Sequence, residues 1–191
     1  MALNPTTSSK KLLLITGMPG AGKSTIAERT RALGFDVIIM GDRIREETAS
    51  RGLSISDMNC GRVMEEIREE LGSSVIAKLS IPKILAAEKS LIAIDGVRSI
   101  AEVEEFKRSF PTTRLLAVIA SPQRRYDLIR SRSREDKPSD EAAFKSRDER
   151  ELRVGVGEVM SIAEEVLLND VITLEELKAE VVAITQRVFQ P

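Results

Sequence analysis

With 191 residues, 42% hydrophobic and 31% charged, the chain fits one globular domain with room for a mobile insert or two. Its 29 basic and 30 acidic residues nearly cancel, and only 3% are aromatic, so neither a global basic field nor stacking platforms point to nucleic acid. The single cysteine, Cys60, excludes an internal disulfide, and the absence of histidine removes Ser-His triads, imidazole bases and histidine metal ligands.

Residues 1–10 are mostly polar and read as a disordered leader. The apolar run Leu12-Leu13-Leu14-Ile15 is too short for a signal-peptide core or a membrane span, so the expected location is the cytoplasm. Because the run ends at a glycine-rich turn, it predicts a strand buried on both faces, as in a parallel sheet. A helix is expected over residues 22–33, stopped by Gly34. Val37-Ile38-Ile39-Met40 predicts a second strand, Leu91-Ile92-Ala93-Ile94 a third, Leu115-Leu116-Ala117-Val118-Ile119 a fourth, and Val166-Leu167-Leu168 a shorter fifth.

Helical spacing fills the gaps. Cys60, Met64, Ile67 and Leu71 recur at that period, as do Ile100, Val103, Phe106 and Phe110, and then Val156, Val159, Met160 and Ala163. Leu174, Leu177, Val181, Ile184 and Val188 make a last amphipathic helix. Strands alternating with helices predict an α/β, three-layer fold around a five-stranded parallel sheet. Two stretches break the alternation. Residues 41–88 are helical and longer than a crossover needs, and residues 131–153 are arginine-rich, with Asp136-Lys137-Pro138-Ser139-Asp140 as a surface turn. Both are expected to be mobile inserts in a domain that begins at residue 11.

The chemistry starts at Gly17-Met18-Pro19-Gly20-Ala21-Gly22-Lys23-Ser24, followed by Thr25. Glycines at these spacings, between a strand and a helix, let backbone amides turn inward as an anion nest, and the helix N-terminus adds its positive end. This P-loop predicts binding of a nucleoside triphosphate, ATP with Mg²⁺, in a P-loop NTPase fold. Lys23 would reach the β- and γ-phosphates and the Ser24 hydroxyl would ligate Mg²⁺. Asp95, at the end of the third strand, is the second metal residue expected. The alternative for Asp95 is a cap on the next helix, a role that Ser99 can fill instead.

No guanine-reading Asn-Lys-x-Asp signature is present; the late strand ends in Leu168-Asn169-Asp170. The chain is also short for a helicase or a large motor, and a small kinase of nucleotides or coenzymes fits its size. Gly41-Asp42-Arg43-Ile44-Arg45 resembles the Gly-Asp-x-x-Arg segment of adenylate kinases, whose arginine grips the acceptor phosphate. Asp95-Gly96-Val97-Arg98-Ser99 resembles their Asp-Gly-x-x-Arg segment, one residue shorter. Ser121-Pro122-Gln123 with the following arginines, and Ala163-Glu164-Glu165-Val166-Leu167-Leu168-Asn169, look like dephospho-coenzyme A kinases. From about Lys11 onward the chain is similar to an archaeal family described as adenylate-kinase-related.

The resemblance implies a small kinase and leaves its acceptor open; the leading expectation is a nucleoside monophosphate, AMP or CMP, with Gly41, Asp42, Arg45 and Arg98 on the acceptor side and residues 131–153 as a lid. Independently of any family, an acceptor phosphate must be neutralised and aimed, and guanidinium forks just beyond strand ends suit that task. For Arg45 and Arg98 the plain alternative is a surface salt bridge. Arg130, Arg132, Arg134, Arg147 and Arg150 form the lid cluster, from which Arg134 and Arg147 join Lys23 and Arg98 as the expected catalytic set. Each is also readable as a solvated surface residue, and Arg147 has Glu151 one turn away as a helical partner. Asp42 would manage a proton if the acceptor were an alcohol, as in a dephospho-coenzyme A kinase, and would only fix a turn if it were a monophosphate. A nucleotide-switched binding protein is the reading from another class, but a switch has no need of acceptor arginines.

Overall fold

The computed structural model describes residues 9–131, 138–170 and 172–189. Five strands and nine helices are found among them: β1 (Lys11–Thr16), α1 (Lys23–Arg31), β2 (Asp36–Ile39), α2 (Met40–Ser50), α3 (Asp57–Leu71), α4 (Val75–Ala86), β3 (Leu91–Asp95), α5 (Ile100–Ser109), β4 (Thr113–Ile119), α6 (Pro122–Arg130), α7 (Glu141–Val154), α8 (Val156–Ser161), β5 (Glu165–Leu168) and α9 (Leu174–Phe189). The strands form one parallel sheet in the order β2-β3-β1-β4-β5. The expected α/β three-layer architecture is therefore present.

Central strands of such a sheet are apolar on both faces, and β1 is the clearest case. Leu12 and Leu14 enter one core with α2, α3, α4, α5 and α8, while Leu13 and Ile15 enter the other with α1 and α9. The edge strand β5 is covered on one side only: Leu167 is buried, whereas Val166 and Leu168 are 53% and 65% exposed. No helix among the described residues is long and apolar enough to cross a membrane.

Several local expectations need correction. Met40 does not extend β2 but opens α2, because the chain turns helical as soon as it leaves the sheet; Gly41 and Asp42 therefore ride on a first helical turn. The first helix starts at Lys23 and ends at Arg31, with Leu33 in the turn that Gly34 closes at φ 88°. Leu71 keeps the helical period but is 62% exposed, because it is the last residue of α3 and lies past the layer that covers it. Residues 1–8 of the expected leader lie outside the described residues. Lys10 is pinned, its ammonium donating to the carbonyls of Ala87 and, at 2.7 Å, of Lys89.

Candidate active site

Ligands of open parallel sheets bind beyond the carboxyl ends of the strands, and the chain brings its polar residues together there. Gly17 leaves β1 at φ 141°, where a Cβ would stand 2.3 Å from the carbonyl oxygen of Val118 in β4. Gly22, at φ 103°, leaves no room for a side chain either: a Cβ would meet the Asn169 amide at 2.3 Å. That amide, buried at the end of β5, donates to the Ala21 carbonyl at 2.8 Å and fixes the far side of the loop. Thr25 follows, exposed, in the first turn of α1.

Lys23, half-buried, folds back over its own loop and donates to the carbonyls of Gly17 (2.7 Å) and Met18 (3.1 Å). Burial lowers its pKa to about 8; Asp95 and Glu151 pull it up, while Arg98 and Arg147 push it further down. Ser24 donates its hydroxyl proton to Asp95 Oδ2 at 2.8 Å, across the gap between α1 and β3. Neighbouring oxygens around an octahedral Mg²⁺ with bonds of about 2.1 Å stand about 3 Å apart, so this pair fits two adjacent corners of such an ion. Among the described residues no group of three or more acidic or cysteine side chains could hold a metal ion. Asp95 does not cap the next helix; Ser99 does, in a reciprocal capping box with Glu102.

A cleft runs from the loop toward α2, α3 and α7. Its inner part is lined by Gly17, Pro19, Gly20, Lys23, Ser24, Asp95, Arg45, Arg98, Arg147 and Glu151, with Ile39, Gly41 and Gly96. Its outer part shares Gly41, Arg45, Arg98, Arg147 and Glu151, and adds Ile44, Asp57, Cys60, Gly61, Met64 and Arg150. Four guanidinium groups thus face the outer part against two carboxylates. Asp42 lines neither part: it forms an ion pair with Arg45, one turn further along α2.

The counter-ions hold the arginines in place. Glu151, 3% exposed, takes Arg98 Nε at 2.7 Å. Burial opposes its charge, but Arg98, Arg147, Lys23 and Arg150 together outweigh burial and hold its pKa below the ordinary glutamate value. Asp57, the first residue of α3, takes Arg147 at 3.2 Å and Arg150 at 2.9 and 3.0 Å, so α7 is docked onto α3. The backbone amide of Arg98 donates to Glu102 at 2.7 Å, and Glu102 also takes Arg68 from α3 at 2.6 Å.

This geometry has relatives. Over 182 residues, 93% of this chain and 97% of the other, it is 40% identical to the UPF0200 protein PH1008 of Pyrococcus horikoshii. The chain belongs to the UPF0200 family. A second member, from Thermococcus gammatolerans, is 38% identical over 183 residues, covering 94% of this chain and 96% of its own. Residues 16–145 of this UPF0200 protein also match the AAA_17 family model, an AAA domain. Among solved structures it is similar to TT1252 from Thermus thermophilus (TM-score 0.64, 20% identity, 94% of this chain and 98% of that one). It is likewise similar to shikimate kinase from Acinetobacter baumannii in complex with shikimate (TM-score 0.58, 13% identity, 94% and 93%). At such identities the likeness is one of fold, a kinase-like P-loop fold.

Of the residues singled out from the sequence of this UPF0200 chain, Lys23, Ser24, Asp95, Arg45, Arg98 and Arg147 converge on one cleft. Arg132 and Arg134 lie outside the described residues. Arg130 is exposed and faces the Tyr126 ring at 5.7 Å. Asp57 and Asp148 are not marked in the sequence; Glu151 is marked there only as a helical partner of Arg147, and Arg125 only as one of the arginines after Ser121-Pro122-Gln123. A Ser-Asp pair at a helix start and a charged run within a helix look like ordinary capping and surface chemistry, and nothing local marks their partners.

Proposed function

We propose that the protein is an ATP-dependent phosphotransferase that moves the γ-phosphoryl group to a nucleoside monophosphate, with AMP or CMP the first candidates. The observation that carries this reading is the outer cleft, where Arg45, Arg98, Arg147 and Arg150 face Asp57 and Glu151. Even with Asp42 paired to Arg45, guanidinium groups outnumber carboxylates around this part of the cleft, which suits an anionic phosphate monoester, and guanidinium forks take its oxygens in pairs. The inner cleft supplies the donor end. P-loop amides and Lys23 neutralise the triphosphate, and Ser24 with Asp95 would hold Mg²⁺, whose charge offsets that of the β- and γ-phosphates. An anionic oxygen of the acceptor attacks the γ-phosphorus in line as its bond to the β–γ bridging oxygen breaks, and ADP leaves. No proton has to move.

Phosphorylation of a ribose hydroxyl, as in a dephospho-coenzyme A kinase, is the nearest rival, and it needs a base. The carboxylates lining the cleft are already engaged. Glu151 is held ionised by four cations, Asp57 is spanned by two arginines, and Asp95 accepts from Ser24. Asp42 faces Arg45 instead of the cleft. A nucleotide-switched binding protein would have no use for the outer arginines.

The test is a coupled assay of ATP turnover over the four nucleoside monophosphates, dephospho-coenzyme A and no acceptor. It is followed by single-turnover transfer in Asp42→Asn with the best acceptor. The expected result is turnover with a monophosphate and a loss of roughly tenfold or less in the variant, below the range of general-base help. A thousandfold loss with fold and acceptor affinity kept would favour the hydroxyl acceptor. Equal turnover with and without any acceptor would favour the switch.

A further inference from the structure

Arg125 on α6 is 4% exposed, and both terminal nitrogens of its guanidinium are engaged. Nη1 donates to the carbonyl oxygen of Pro19 in the P-loop at 3.0 Å. Nη1 and Nη2 also take both carboxylate oxygens of Asp148 on α7, at 2.8 and 2.5 Å. The same guanidinium lies 5.0 Å from the centre of the Phe144 ring, one turn earlier on α7. The loop has no slack beneath it: a Cβ on Gly20 would stand 2.5 Å from the Arg125 carbonyl oxygen.

The three attachments lie on two functional parts. One is the backbone that forms the phosphate nest. The other is α7, where the neighbours of Asp148 are Arg147, Arg150 and Glu151, the groups that line the outer cleft. A bidentate, buried guanidinium–carboxylate pair is rigid as well as strong, because the planar fork fixes angle and distance together.

We propose that Arg125 and Asp148 are positioning residues that couple the P-loop to the cleft-facing side of α7. A nucleotide in the nest then fixes Arg147 and Glu151 for transfer. Arg125 acts through the Pro19 carbonyl and through Asp148, and touches neither substrate. The inference rests on the P-loop kinase reading, since it assigns the outer cleft to an acceptor. Small displacements of positioned groups weigh heavily on transfer: about 1 Å costs on the order of 100-fold.

The experiment uses the full chain, a nonhydrolysable ATP analogue with magnesium, and the variants Asp148→Asn, Asp148→Glu and Arg125→Lys. Affinity is read by calorimetry, hydrogen exchange of residues 141–154 with and without analogue, and kcat and KM with the best acceptor. In the wild type, the analogue should slow exchange in 141–154. Asp148→Asn and Arg125→Lys should bind the analogue within about threefold of wild type and lose that protection. Their kcat should fall about 10- to 100-fold at nearly constant KM for ATP. Asp148→Glu, which keeps the charge, should recover part of both. A purely structural role would lower melting temperature without separating kcat from KM. The inference is overturned if protection of 141–154 survives in Asp148→Asn and Arg125→Lys, or if affinity and kcat fall in parallel. If Asp148→Asn does not fold, Arg125→Lys decides by the same readings. No analogue binding to the wild type would instead remove the kinase reading, and this inference with it; binding without coupling removes the inference alone.

Discussion

The Lys23 ammonium is held by carbonyls of its own loop, and burial brings its pKa from 10.5 to about 8. The sign of the linkage follows. An unfolded chain keeps that proton up to about 10.5, while the folded one releases it near 8, so the unfolded state binds more protons between these values. The unliganded protein should therefore gain stability from this group as pH rises across that window. A triphosphate in the nest favours the charged form, so nucleotide binding near pH 8 should take up protons, and affinity should weaken as pH rises beyond it. Calorimetry in two buffers of different ionisation enthalpy reads the uptake directly; equal uptake in Lys23→Arg, whose side chain stays charged, would assign the proton to another group. Lys23→Ala should lose transfer by at least about 100-fold while melting as the wild type does, since a site donor of this kind contributes that much. Lys23 and Ser24 were legible in the sequence because motif spacing is local, and Asp95 because a strand announced it. The pairings across the cleft were not: Arg150 meets Asp57 across 93 positions, and Arg125 meets Pro19 across 106. Period and propensity carry no information over such distances.

At the scale of the element, hydrophobic runs and periods located the strands and most helices, because each buries a stripe that the sequence writes out in order. The boundary at Met40 was lost because an apolar residue serves equally as the end of a strand or the first turn of a helix. The docking of α7 on α3 was illegible for another reason: polar contacts make it, and polar residues have no periodic signature. Gly61 shows the cost. It sits inside α3, where alanine would be favoured by about 1 kcal/mol, but a Cβ there would stand 2.6 Å from Cζ of Arg150. The clash is with the far end of a flexible side chain, which can move aside and leave Asp57. Gly61→Ala should therefore melt at the wild-type temperature or slightly above, yet transfer more slowly, with the loss in acceptor KM. If acceptor KM stays within twofold of wild type, the seat of Arg150 on Gly61 plays no part in acceptor binding. Asp57→Asn removes the same anchor from the other helix, and should speed hydrogen exchange in residues 141–154 while leaving the sheet strands unchanged.

For the molecule as a whole, the cleft lies where both halves of the core end. Ile15 and Ala21 belong to the core under α1 and α9, while Ile44, Met64 and Ile94 belong to the core under α2 to α5 and α8. Lys23 stands on the first side; Arg45 and Arg98 adjoin the second. A ligand spanning the cleft therefore ties together elements from both sides of the sheet. A bisubstrate analogue, two nucleosides joined through a phosphate chain, should bind with both ends engaged, and a ligand at a hundred times its dissociation constant adds about 2.7 kcal/mol to the folded state. For a chain of this length that is a rise of roughly 5–10 °C in melting temperature. ATP analogue alone at equal concentration should give less, because it leaves Arg45, Arg150 and Asp57 as they are. Arg45→Ala should then bring the bisubstrate shift down to that of the ATP analogue, and Lys23→Ala should diminish both. Hydrogen exchange should gain protection over residues 41–88 with the bisubstrate analogue only, whereas either analogue should protect residues 141–154. If the ATP analogue alone produces the full shift in wild type and in Arg45→Ala alike, the outer cleft holds no second substrate, and its arginines serve the triphosphate.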